Sequence, residues 1–519
     1  MQLTQPLHKS LNECPNKVAT IFGGRQQSWR ELVGRVASLA GGLRELGMAR
    51  GDRVAMLGMN SDRYLEYVYG VLWGGGVIAP LNVRWSALEI AYALDDCDAS
   101  VLFVDDAFRP MIEALREHSQ SLKTIVYVGE SQAPEGTVAY EDLLAKSAPV
   151  DDARCGGDDL AVLLYTGGTT GKPKGVMLSH INLLSNIFAS MMTIPRDELA
   201  VPGLHAAPPF HVAGLGHILQ FSLRLGTHVL LPSFEPGKVL EVIEKHGVAE
   251  TFLVPTMLRM LLDHPDFPKR DLSSLRLLRY GASPMDTALL ERALRELPRV
   301  RFAQAYGMTE LSPTITVLTP EYHTEQGRAA GKLMSAGVPV PLAEVRVVDG
   351  NDTPLPPGKV GEIVARGPMV MKGYWNQPAQ TAEALRNGWM HTGDAGYIDE
   401  DGFLFVVDRI KDMIVTGGEN VYSAEVEDAI LQFPKVSQCA VIGVPDEKWG
   451  ERVHAVIVPK PGETVEQDEL LAHCRNLIAG FKCPRSMEVR DALPMSGAGK
   501  LLKFKLREPY WKNRTRQVG

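Results

Sequence analysis

The chain has 519 residues, with 45% hydrophobic and 22% charged side chains. That composition excludes a disordered chain, a collagen and a coiled coil, and the length suggests about two to four domains. With 54 basic and 62 acidic residues the net charge is −8, which opposes a nucleic-acid-coating role, because phosphate binding needs surplus positive charge.

The N-terminus, Met1-Gln2-Leu3-Thr4-Gln5-Pro6, has neither a basic region nor an apolar run, so it does not read as a signal peptide. Helical periodicity follows Ser28 and Glu31, which match a capping box. Leu32, Val36, Leu39, Leu43 and Leu46 then recur at spacings of 4, 3, 4 and 3, one face of a helix. Gly47 supplies a stop. Short apolar runs predict strands at 53–57, 101–104, 125–128, 161–165, 228–231 and 252–254, with a helix at 236–246. This alternation predicts α/β units with largely parallel sheet.

Three uncharged stretches, 67–83, 175–195 and 199–223, are long enough to draw attention. Glycines and Pro80 break the first. The second carries His180, Asn182, Ser185 and Asn186, and the third has three prolines and three histidines. All three read as buried core or pocket wall rather than membrane spans. Late in the chain, 387–407 is rich in Gly, Asp and aromatics, suggesting hairpins. A compact α/β pattern then restarts, with helices near 423–431 and 465–479 and strands near 438–444 and 453–458. A boundary near Lys411 therefore divides the chain into 1–410 and 411–519. Cys14, Cys97, Cys155, Cys439, Cys474 and Cys483 form no CxxC, which fits a reducing compartment. The expected location is cytoplasmic, and homodimerisation stays open.

The most informative string is Thr166-Gly167-Gly168-Thr169-Thr170-Gly171-Lys172-Pro173-Lys174-Gly175, placed after an expected strand. Glycines expose N–H groups, threonines add hydroxyl donors and the lysines add charge, as a polyphosphate requires. It is not a Walker A loop, because Thr166 and Pro173 stand where Gly and Ser or Thr belong. Gly214-Leu215-Gly216 lacks the third glycine of a dinucleotide fingerprint. His205, His211 and His217 recur every six residues without carboxylate or Cys partners at ligand spacing, so a metal site is not expected there.

The string resembles that of the adenylate-forming superfamily of acyl-CoA synthetases, luciferases and nonribosomal-peptide adenylation domains, with Gly168 in place of the usual Ser. The same resemblance is carried by Gln304-Ala305-Tyr306-Gly307-Met308-Thr309-Glu310, Gly388-Trp389-Met390-His391-Thr392-Gly393-Asp394, Asp408-Arg409-Ile410-Lys411-Asp412, Gly417-Gly418-Glu419-Asn420 and Gly499-Lys500, in the family's order. It implies a large N-terminal domain of parallel and mixed sheets with flanking helices, and a small mobile C-terminal α/β domain hinged at Lys411. It implies ATP, Mg2+ and CoA, and a reaction in which a carboxylate forms an acyl-adenylate and then a thioester, with release of AMP and pyrophosphate.

Site roles follow from the resemblance. Lys500 is the catalytic lysine, with Glu310 and Thr309; Glu310 and Thr166 hold magnesium. The nucleotide is bound by Thr166, Gly167, Gly168, Thr169, Thr170, Gly171, Lys172, Lys174, Gly281, Ala282, Gln304, Ala305, Tyr306, Gly307, Asp394 and Arg409. The acid pocket draws on His211, Val212, Ala213, Gly214, Gly281 and Met308, and the CoA channel on Gly417, Gly418 and Glu419. Taken alone, Asp394 reads as a turn residue, Arg409 as a surface arginine, and Lys500, Lys503, Lys505 and Arg507 as a basic tail. Small residues in the pocket stretches, with no Lys or Arg among them, suggest a roomy apolar slot. That favours a medium- or long-chain fatty acid, with an aryl-propenoic acid such as coumarate or ferulate, or a short substituted acid, as the alternative. A carrier-protein-loading role is the rival enzyme reading. No carrier domain follows Lys500 in the sequence, so a separate carrier is then implied.

Overall fold

The computed structural model describes residues 1–166, 173–196, 198–495 and 501–512. Four sheets organise them. One has eight strands in the order Gly373–Tyr374, Lys174–Ser179, Leu160–Thr166, Val77–Pro80, Arg53–Leu57, Val101–Val104, Thr124–Tyr127 and Val138–Ala139. A second, of nine strands, runs Val338–Pro339, Thr314–Leu318, Arg301–Gly307, Leu277–Gly281, Glu250–Leu253, Pro202–His205, Thr227–Leu230, Val18–Phe22 and Arg25–Ser28. The α/β expectation holds, with one refinement: parallel strands form the middle of both sheets, and antiparallel strands close both edges of the nine-stranded sheet and the Gly373–Tyr374 edge of the eight-stranded one.

Local chemistry sets many boundaries. The Ser28–Glu31 capping box starts helix Trp29–Glu45, as the sequence predicts. Helix Pro236–His246 opens on proline and ends at Gly247 with φ +59°, a conformation glycine adopts at no steric cost. Helices Trp29–Glu45, Asp62–Gly74, His180–Thr193 and Val212–Leu223 share one core with Val54, Met56 and Ile78 of the eight-stranded sheet and Ala19 and Ile315 of the other. The uncharged stretches thus lie largely inside the protein, with Phe188, Met192 and Leu199 exposed. No helix among the described residues is long and apolar enough to cross a membrane.

Two smaller sheets follow. Glu344–Val348, Gly361–Arg366, Met390–Ile398 and Leu404–Arg409 form an antiparallel sheet. Beyond it, Glu419–Val421, Ile414–Thr416, Gly450–Pro459 and Val436–Asp446 make the last sheet, with Ser486–Val489 added parallel to Gly450–Pro459. Ile414, Val421, Ile430, Val441, Ile457 and Leu470 give this last sheet a core of its own.

Candidate active site

In an open parallel sheet, ligands bind beyond the carboxyl ends of the strands. In the nine-stranded sheet that edge collects three of the stretches singled out by sequence: the turn after Pro202–His205, which leads to His211; Gly281-Ala282, at the end of Leu277–Gly281; and Gly307-Met308-Thr309-Glu310, at the end of Arg301–Gly307. Residues far apart in sequence therefore meet at one rim.

Glu310 lies in the single turn Thr309–Leu311 and is 6% exposed. Tyr374 donates its hydroxyl to Glu310 Oε1 at 2.8 Å, and the Met371 amide donates to the Glu310 carbonyl at 2.8 Å. Burial and the Glu310 charge push the Tyr374 phenol above its usual range. Asn186 reaches over from helix His180–Thr193 and donates to the carbonyls of Leu311 and Thr314 at 3.0 and 2.6 Å. Lys174 stands 5.1 Å over the Tyr374 ring and pairs in register with Thr166, whose hydroxyl donates to the Lys174 carbonyl at 3.5 Å. Contacts thus run from Thr166 through Lys174 and Tyr374 to Glu310. The buried Glu310 carboxylate and the Thr166 hydroxyl are oxygen donors of the kind a hard divalent cation takes.

Asp394 forms the second cluster. It is 5% exposed, and its carboxylate accepts from the Tyr306 hydroxyl at 2.7 Å and pairs with Arg409 Nε at 2.7 Å. Asp394 holds the Arg409 guanidinium above its usual range, and burial with Asp394 alongside pushes the Tyr306 phenol far up. Asp394 is therefore no free turn residue, and Arg409 no plain surface arginine. The His391-Thr392-Gly393 segment before it, within strand Met390–Ile398, is pinned by Glu362, which meets the His391 ring at 2.9 Å and accepts from the Gly393 amide at 3.1 Å. Thr392 donates to the Ile363 carbonyl at 2.7 Å.

Three glycines at the rim have main-chain reasons to be small. A Cβ on Gly214 would stand 2.2 Å from the Pro208 carbonyl oxygen, on Gly281 2.1 Å from that of Ala305, and on Gly307 1.8 Å from that of Pro313. Real Cβ atoms do not approach so closely. Their smallness follows from backbone packing and does not measure room for an acyl chain. His211 begins helix Val212–Leu223 with its ring 4.4 Å from that of Phe210. Val212 is buried, while Ala213, Met308, Gln304 and Ala305 are half-buried and Ala282 is exposed. His205 packs against both His217 and His228, ring to ring at 4.9 Å each.

The site also uses residues that sequence reading passed over. Tyr374, Asn186 and Glu362 carry no spacing signal toward the residues they hold, because their partners lie 64, 125 and 29 positions away. Arg279, two residues ahead of Gly281, is a buried cation bonded to Gln220 at 2.7 Å and Ser190 at 3.2 Å. Burial, with Arg196 nearby, lowers it to about 9.

Gly167, Gly168, Thr169, Thr170, Gly171, Lys172 and Lys500 lie outside the described residues. Of the residues around the last of these, Lys503 and Arg507 do not form a loose basic tail. Lys503 pairs with Glu427 at 2.8 Å and Arg507 with Asp412 at 2.5 Å, because both sit on a helix, Lys503–Trp511, packed on the last sheet. Gly417, Gly418 and Glu419 form an exposed hairpin after Lys411.

Two family models match the chain, the AMP-binding enzyme over residues 7–375 and the AMP-binding enzyme C-terminal domain over 425–500. A feruloyl-CoA synthase of Amycolatopsis sp is 43% identical over 499 residues, covering 96% of each chain. A fatty acid–[acyl-carrier-protein] ligase of Streptomyces coeruleorubidus is 38% identical over 97% of this chain and 95% of its own. Among solved structures, an anthranilate CoA ligase in complex with anthranoyl-AMP superimposes with a TM-score of 0.91 at 27% identity, over 98% of this chain and 97% of that one.

Proposed function

The chain belongs to the AMP-binding enzyme family, as an adenylate-forming acyl-CoA synthetase, and from that premise we propose that it joins an aryl-propenoic acid of the ferulate or coumarate class to CoA. The observation that carries this choice is the 43% identity to a feruloyl-CoA synthase across 96% of both chains. The solved ligase above also carries an aromatic acyl-adenylate. The sequence-based preference for a fatty acid rested on small pocket residues, and at Gly214, Gly281 and Gly307 backbone contacts account for that smallness.

In the first half-reaction the acid's carboxylate oxygen attacks the α-phosphorus of ATP, and pyrophosphate leaves. Asp394, held by Tyr306 and Arg409, accepts from the ribose hydroxyls, as carboxylates do for ribose elsewhere. Gly281, Ala282, Gln304, Ala305 and Gly307 border the adenine. Magnesium enters with ATP as part of the substrate, and Glu310 and Thr166 are its protein contacts. Gly167, Gly168, Thr169, Thr170, Gly171, Lys172 and Lys174 neutralise and orient the phosphates, and Thr309 adds a hydroxyl. Lys500 offsets negative charge that builds on the α-phosphate in the transition state. His211, Val212, Ala213, Gly214 and Met308 face the acid.

In the second half-reaction the CoA thiolate attacks the acyl carbonyl and AMP leaves. Residues 411–519 turn about Lys411 between the steps, bringing Gly417, Gly418 and Glu419 to the thiol's path. Hinges need only absorb a change in φ and ψ. No protein nucleophile is required.

AMP release is measured with ATP, magnesium and CoA across acetate, octanoate, palmitate, benzoate, coumarate and ferulate. CoA-dependent AMP with coumarate or ferulate as the best substrate is expected. A preference for octanoate or palmitate overturns the acid class. A second reading, loading of a fatty acid onto a carrier protein, draws on the 38% identity to such a ligase. Pyrophosphate release with octanoate or palmitate but no CoA thioester favours it.

A further inference from the structure

Helix Ser423–Leu431 opens the last unit without a side-chain cap of its own; Tyr422, at its N-cap position, makes no such bond. The cap comes from across the hinge. Asp408 Oδ2 accepts from the Ser423 amide at 2.5 Å and from the Ser423 hydroxyl at 2.6 Å. A carboxylate at a helix N-terminus is favoured both by the unpaired amides and by the helix dipole. Asp408 belongs to strand Leu404–Arg409, registered against Ala395 beside Asp394. Ser423 lies beyond Lys411. This contact therefore spans the hinge.

Lys503 completes it. Its ammonium donates to Ser423 Oγ at 2.5 Å and pairs with Glu427 Oε1 at 2.8 Å, with the Lys503 side chain only 12% exposed. Glu427 is fixed in turn by the Val441 amide at 2.7 Å. One buried cation thus faces two carboxylates, Asp408 before the hinge and Glu427 after it. Burial works against the ammonium, and Glu427, Asp408 and Asp412 outweigh it. In this arrangement Gly417, Gly418, Glu419 and Asn420 are exposed. The nearest side chain to a Cβ on Gly417 would be Trp449 of the same unit. The clasp therefore closes in an orientation that leaves the 417–420 hairpin unengaged.

We infer that Lys503 is a positioning residue, which through Ser423 clasps the last unit to Asp408 and holds the orientation that serves acyl-adenylate formation. This rests on the proposed two-step reaction with rotation about Lys411. Rotation carries Ser423 away from Asp408, so the clasp opens before the thiol step. It then re-forms for the next adenylation. Losing it slows the first step and spares the second.

The test uses the full chain carrying Lys503→Met, Lys503→Arg or Ser423→Ala. Acyl-AMP formation and thioester formation from supplied acyl-AMP are measured separately with the best acid. Lys503→Met and Ser423→Ala are expected to slow acyl-AMP formation about tenfold, the scale of one charge-assisted hydrogen bond. The thiol step should be unchanged or faster, and Lys503→Arg should restore the ratio. Equal losses in both steps overturn the inference. A second readout needs no substrate: energy transfer between dyes on introduced cysteines at exposed Glu113 and Glu469. The wild-type distance distribution should be narrow, Lys503→Met should add a second population, and an unchanged distribution overturns the clasp. Should Lys500→Ala leave adenylation intact, the proposed role of Lys500 fails, whereas the dye distances still decide the clasp.

Discussion

Tyr374 donates its hydroxyl to Glu310 at 2.8 Å, linking an edge strand of the eight-stranded sheet to the turn that ends a strand of the nine-stranded one. The bond fixes a buried carboxylate at the seam between the two sheets. Bonds to charged groups contribute about 1.5–3 kcal/mol. Tyr374→Phe is therefore expected to slow acyl-AMP formation about 10- to 100-fold at fixed magnesium, at about 1.4 kcal/mol per tenfold. The magnesium concentration for half-maximal rate should rise. Pyrophosphate exchange across a magnesium series checks this; an unchanged magnesium dependence would detach Tyr374 from the proposed magnesium contact at Glu310.

Asp394→Asn keeps the shape of the side chain and removes its charge. Arg409 loses its ion pair at 2.7 Å, and the Tyr306 hydroxyl loses a charged acceptor. The KM for ATP should rise about tenfold or more, as for one lost charge-assisted contact, while the KM for the acid changes little. Steady-state titration of each substrate separates the two; a rise confined to the acid would move Asp394 out of nucleotide binding.

Gly214→Ala sets two rules against each other. Helix propensity favours alanine by about 0.8–1 kcal/mol. The new Cβ, however, would stand 2.2 Å from the Pro208 carbonyl oxygen, and overpacking costs about 1–3 kcal/mol. The clash is with backbone, which cannot swing aside, so the upper end of that cost applies and a net loss of about 2 kcal/mol is expected. Urea unfolding midpoints decide the sign, and a gain in stability would show that the turn at Pro208 yields.

Several histidines are buried in neutral form. Burial lowers His323 and His180 to about 4 and His228 to about 3, and puts His205 and His217 well below the usual value. Their folded values lie below the unfolded value near 6.5, so the unfolded chain binds the protons first. Their contribution is complete above about pH 6.5 and is lost as pH falls toward 4. His323 accepts from or donates to Tyr280 at 3.0 Å and meets the Thr319 carbonyl at 3.0 Å, contacts an amide side chain can imitate. His323→Gln should reduce the slope of unfolding free energy with pH by about 1.4 kcal/mol per unit between pH 6.5 and 4. Denaturant titrations at stepped pH measure it; an unchanged slope would mean His323 titrates alike in both states.

Much of this was legible in the chain itself. The Ser28–Glu31 capping box, helix Pro236–His246 and strands Arg53–Leu57 and Val101–Val104 stand where periodicity and end signals place them, because those signals act within a few residues. The motif strings were legible for the same reason, each being a short run of contiguous residue types. Tertiary structure alone decided what those residues touch. Tyr374 on Glu310, Asn186 on the turn after it, Arg409 on Asp394 and Lys503 on Ser423 join positions that no periodicity relates. Tertiary structure also changed the meaning of Gly214, Gly281 and Gly307. In sequence they read as room for substrate; folded, each admits a carbonyl oxygen where a side chain would begin. A residue's type is set one position at a time, but the space around it is set by chain segments that only folding brings within contact.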